Sequence, residues 1–64
     1  MRCSVLYSKK GDIYEVKIDN PFAEPYRIDA AVFREFLRKH GHGKDGIPMS
    51  GMINVYRSEF FAIL

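Results

Sequence analysis

The sequence predicts a small two-layer α+β domain, an antiparallel sheet with one central helix packed on it, in the order β-β-α-β-β. Three observations predict it. Residues 14–18 read "YEVKI", the apolar–charged alternation of a strand with one wet face. Residues 30–40 place apolar side chains at helical spacing behind an aspartate cap. After a glycine-rich loop, "MINVY" and "EFFAIL" return to β-rich composition.

In chain order, residues 3–7 form the first strand, with Cys3, Val5 and Tyr7 directed to the core; Leu6 blurs the alternation. "SKKGDI" separates it from the second strand, and Gly11 is free to take the positive φ that a hairpin loop demands. On the second strand Tyr14, Val16 and Ile18 face inward, Glu15 and Lys17 outward. "DNPFAEP", residues 19–25, is a rigid connection, since each proline drives the residue before it into extended geometry, and Phe22 is expected to fold back as a plug.

Asp29 stands where its carboxylate can accept from the unpaired amides of a first helical turn. Ile28 and Phe33 occupy the two ends of a hydrophobic staple. The helix is expected from Ala30 to about His40, with Gly41 as the left-handed residue that ends it. Phe33, Phe36, Leu37 and His40 form one stripe, while Arg34, Glu35, Arg38 and Lys39 face away.

In the last part Ile53 and Val55 should point to the core. Arg57 and Ser58 make a poor tight turn, because neither favours positive φ. The final segment therefore has three possible forms: a fourth strand with Phe61 and Ile63 inward, a continuation of one long strand, or a helical turn capped by Ser58. The expected order takes the first.

Sixty-four residues make one domain, residues 1–64, with a core small enough that extra stabilisation is expected. The 47% apolar content is far above that of a disordered chain. A single cysteine, Cys3, cannot form an internal disulfide and points to a reducing, cytoplasmic setting. Ten basic against eight acidic residues give a formal charge of +2, spread without a basic arm or acidic tail. Arg2 is followed by no apolar signal region, and the longest apolar run, Phe60 to Leu64, is far short of the roughly twenty residues that span a bilayer. The chain reads as a soluble protein complete from Met1, with no membrane partner.

"GHGKDG", residues 41–46, matches the dinucleotide-binding spelling G-x-G-x-x-G. That motif needs a strand before it and a helix after it, whose amino-terminal amides hold the phosphate. Here Gly41 ends a helix and Ile47-Pro48 come after Gly46, so the residues read as a helix stop and a turn. His40, His42, Asp45 and Cys3 lack paired metal-ligand spacing, and no metal or other cofactor is expected. Of the nucleophiles and bases Cys3, His42, Lys44, Asp45 and Ser50, none has a recognisable orienting partner, so the chain reads as no enzyme.

Two binding roles remain. The first is a protein-interaction module, homodimeric, serving as an adaptor, regulator or inhibitor of another protein. Its motivation is "FFAIL": with Phe61 and Ile63 inward, Phe60 and Leu64 face out for self-association, and the sequence has no second helix to cover that face. Arg34, Arg38, Lys39, His42 and Lys44 are the expected partner-binding residues. The second role is nucleic-acid binding, with Arg34 and Arg38 on one helical edge beside the glycine-rich loop. No helix-turn-helix pair, RNA-binding aromatic motif or zinc finger supports it.

Overall fold

The computed structural model describes residues 2–43 and 45–64. Strands β1 (Arg2–Lys10), β2 (Ile13–Ile18) and β3 (Tyr26–Asp29) lead into helix α1 (Ala30–Lys39), followed by β4 (Ser50–Tyr56) and a short helix α2 (Arg57–Phe61). The four strands form one sheet in the order β3-β2-β1-β4, with every neighbouring pair antiparallel. The two-layer α+β expectation holds. Its element order is refined at two places: β3 is an added strand, and the last element is helical.

Lys10 pairs with Ile13, so the β1–β2 hairpin turns on Gly11 and Asp12 alone. Gly11 takes φ +60° and Asp12 does not go positive, the arrangement of a type II′ turn, whose twist suits flanking strands. Cys3, Val5, Tyr7, Tyr14 and Val16 are buried as their alternation predicts, and Ile53 and Val55 close the same face from β4. The middle of this core is aromatic: the Tyr7, Tyr14 and Phe33 rings lie with centroids 5.0–5.8 Å apart.

Helix α1 starts where its cap places it. Asp29 Oδ2 accepts from Ala31 N at 3.0 Å. It also stops where glycine permits: Gly41 N donates to Arg38 O (3.0 Å) and His42 N to Leu37 O (2.8 Å), with Gly41 at φ +82°. That pair of bonds is a Schellman motif, which satisfies carbonyls the helix end leaves open. Phe33, Phe36 and Leu37 bury one stripe of α1 on the sheet.

Strand β3 escaped the periodicity reading because its four residues are squeezed between Pro25 and the helix cap. Phe22 also departs from expectation. It is 93% exposed, not a plug, because Asn20 Oδ1 accepts from Phe22 N and Asn20 O accepts from Ala23 N, a local turn that holds the ring away from the core.

The final segment follows the helical alternative, but Ser58 does not cap it. Tyr56 is the N-cap residue, and Glu59 Oε1 accepts from Tyr56 N at 3.2 Å. Helical geometry reverses the expected faces of the two phenylalanines and keeps Ile63 inward and Leu64 outward. Phe60 is fully buried, while Phe61 is exposed and Ile63 partly buried against the core. Phe60 packs edge-on to Tyr26 (5.8 Å) and Phe36 (6.2 Å), so α2 leaves the β4 side and closes the core at the start of β3.

Candidate interaction site

Three surfaces offer themselves for contact: the outer side of α1 with its loop, the groove between the two helices, and the free edge of β4. The first collects the residues expected to meet a partner. Arg38, Lys39 and His42 are exposed and Arg34 is half-buried, so one end of α1 presents a basic surface. Lys44 lies outside the described residues. The loop after α1 is folded back, not splayed: a methyl group on Gly43 would meet Ile47 Cγ1 at 2.6 Å and Arg38 Cγ at 3.9 Å. It leads from a helix carboxyl end into β4, the reverse of a phosphate-binding order.

The groove between α1 and α2 is lined by Val32, Phe36, His40, Glu59, Ala62 and Ile63. His40 Nε2 sits 3.7 Å from Glu59 Oε2, and its ring lies 4.6 Å from that of Phe36. The first of these contacts ties the two helices together. Within the groove His40 and Glu59 engage each other, and the side chains of Glu35, Arg38, Lys39 and Ser58 complete its lining.

Of the two residues expected to self-associate, Leu64 is 53% exposed and Phe60 is 0% exposed. Phe60 is core, and the expectation that it faces outward is corrected: a helix puts residues 60 and 63 on one face where a strand would put 61 and 63. The exposed aromatic of this segment is Phe61, 6.3 Å from the half-exposed Tyr26 ring.

Strand β4 ends the sheet on its far side, and among the described residues no strand pairs with its outer edge. Its seven residues, "SGMINVY", contain no charge and no proline. Natural edge strands are commonly blunted by lysine, proline, a bulge or brevity, because unpaired N–H and C=O groups template pairing with another chain. β4 has none of these. On the sheet's uncovered face it also exposes Met52 (57%) and Tyr56, with Leu6 of β1 directly beside Met52 in the register.

Apart from Ile13, the rest of that uncovered face is polar. Arg2, Lys10, Lys17 and Arg27 share it by register with Glu15. Several of these cations are held: Arg27 lies 3.8 Å from Glu15, Lys17 Nζ donates to Pro21 O, and the Arg2 guanidinium covers the Tyr56 ring at 5.2 Å. At one corner Asp19, at φ +58°, accepts from Ser4 N (2.8 Å) and from Arg57 Nη2 (2.6 Å). Those two bonds, the Ser4 amide first, hold its carboxyl below the ordinary carboxylate range.

Cys3 faces the core, where burial and then the charge of Asp19 push its thiol up and leave it a poor nucleophile. Among the described residues no three His, Cys, Asp or Glu side chains converge as metal ligands, and no helix is long and apolar enough to cross a membrane. No family model, curated protein or solved structure matches the chain.

Strand β4 is what sequence reasoning missed as a site. Its lack of charge was legible, but not its place at the end of the sheet, which depends on strand order.

Proposed function

We propose that this chain is a small non-enzymatic protein-interaction module that works as a homodimer and presents its outer helix surface to another protein. One observation carries the reading: a seven-residue edge strand with neither charge nor proline. A cytoplasmic monomer with such an edge invites uncontrolled pairing, and a specific partner strand removes that hazard. The basic end of α1, with Arg34, Arg38, Lys39 and His42, stays free for a partner of acidic character. Light scattering across a concentration series tests the reading: a mass near twice 7.4 kDa supports it, and 7.4 kDa up to high micromolar concentration rejects it.

The rival role, nucleic-acid binding through Arg34 and Arg38, is weaker. Arg34, Arg38 and Lys39 lie on the outer side of α1, whereas Arg2, Lys10, Lys17 and Arg27 lie on the uncovered sheet face, on the opposite side of the molecule. A backbone-tracking surface would gather them on one side. Binding to duplex or single-stranded probes that weakens steeply with salt would favour it nonetheless.

A further inference from the structure

The homodimer reading can be taken to a specific strand register, which stands only if that reading does. In an antiparallel ladder a residue's N–H and C=O point to the same side, and the side alternates along the strand. Lys9 N donates to Met49 O at 2.7 Å, one step beyond the Ser8–Ser50 pair. Odd-numbered positions of β4, Gly51, Ile53 and Val55, therefore turn their backbone groups toward β1. The phase agrees on the other side of β1, where Ser4 O accepts from Asp19 N at 2.9 Å, so even positions of β1 serve β2.

Even-numbered positions of β4 consequently turn outward. Tyr56 is already engaged: its N–H donates to Glu59 Oε1, and as the N-cap residue its carbonyl belongs to the first turn of α2. Ser50, Met52 and Asn54 remain, an evenly spaced set centred on Met52.

We infer that a second copy of this chain pairs antiparallel with β4 about a two-fold axis through Met52, perpendicular to the sheet. Ser50 of each copy then pairs with Asn54 of the other, and Met52 with its own counterpart. Every outward N–H and C=O of the three residues is bonded, on both strands. The ends also match. Tyr56, with its groups occupied, falls opposite Pro48, which has no N–H to offer.

The side chains agree with this register. Both helix layers lie on the same side of the joined sheet, so Gly51 meets Ile53 on the core side. On the uncovered face the two exposed Met52 side chains meet, each flanked by its own Leu6, to form an apolar row across the junction. Lys17, next in that row, ends it at its outer limits, and the two copies of Lys17 stand roughly 24 Å apart at the usual strand spacing. With no charge anywhere in β4, the axis brings no like charges together.

The test combines mass with cross-linking, in a Cys3→Ala background so that only the introduced thiol reacts. Met52→Cys should form an intermolecular disulfide under mild oxidant, because paired Cα atoms lie about 5.5 Å apart. Asn54→Cys should not, since its counterpart lies roughly 14 Å away. Met52→Pro removes an N–H that serves no intramolecular ladder, and Met52→Lys sets two like charges on the axis. Each should halve the mass from about twice 7.4 kDa and leave the circular dichroism spectrum native.

A wild-type chain that is monomeric throughout would overturn the homodimer reading itself. A dimer that survives both Met52 substitutions, or that cross-links through Asn54→Cys in place of Met52→Cys, would overturn the register and leave that reading standing.

Discussion

The sheet has two ends, and they are built differently. Strand β3 is four residues long, comes directly after Pro25, carries Arg27 and Asp29, and gives way at once to α1. Arg27 reaches back to Glu15 on β2, and Tyr26 lies under the rings of Phe60 and Phe61. Strand β4 is seven residues of uncharged backbone that the rest of the chain leaves open along most of its length. One end is short, charged and covered; the other is long, neutral and bare. The contrast teaches that the hazard of a bare edge is managed on one side only, which is why β4 is the natural place for contact.

Five substitutions break or sharpen this contrast. The largest effect is expected at the covered end: Phe60→Ala removes the buried ring that holds α2 against Tyr26 and Phe36, at a cost of about 3–5 kcal/mol. That approaches the whole stability of many small domains, so thermal melting should show a chain largely unfolded. Leu64→Ser, half-exposed in the same segment, should leave the melt nearly unchanged.

At the bare end, Gly51→Ala sharpens what the backbone there requires. A methyl group at Gly51 would meet Tyr7 Oη at 2.8 Å and its ring carbons at 3.1–3.3 Å. Tyr7 is buried beside Tyr14 and Phe33 and has little room to give, so the expected loss is about 1–3 kcal/mol by denaturant titration.

A smaller effect, confined to acid, belongs to the corner where Asp19 joins β1 to α2. Its folded-state pKa is lowered from 3.8 by the Ser4 amide and then by Arg57. Its contribution is therefore full above the unfolded pKa and disappears as pH falls through the folded one. Asp19→Asn should melt lower than the wild type at neutral pH, and the two melting temperatures should converge below pH 3.8. A gap that persists unchanged in acid would show that the charge contributes nothing.

The smallest effect is expected from Arg27→Thr, which takes a charge off β3. The exposed pair with Glu15 is worth about 0.5 kcal/mol, and the strand remains short and covered, so neither melting temperature nor oligomeric mass should move. If that variant aggregates, charge alone was guarding the β3 end.

Much of this molecule was legible from residue order, and the limits have physical causes. The hairpin at Gly11, the Asp29 cap and the Gly41 stop are local signals, each decided by neighbours a few residues away. The fate of "EFFAIL" is not local. Its apolar run suits a strand, but Glu59 bonds back to Tyr56 N, and Phe60 finds Tyr26 and Phe36 from distant parts of the chain. Tertiary contact overrode propensity there. The basic helix surface was visible from helical spacing alone. The open edge was not, because spacing says which way a side chain points and nothing about which strand lies next to which.

The longest strand, β1, sits inside the sheet with β2 on one flank and β4 on the other. Ser4 therefore lies opposite Asn54, a partner fifty positions away along the chain. Until that late segment arrives, β1 has one side satisfied and one side vacant, and the aromatic cluster above it is open to water. Such distant closure slows folding. A ribosome-bound or C-terminally clipped chain would thus expose a second, more dangerous template in the middle of the sheet, so limited proteolysis near residue 50 should turn a well-dispersed protein into a sticky one.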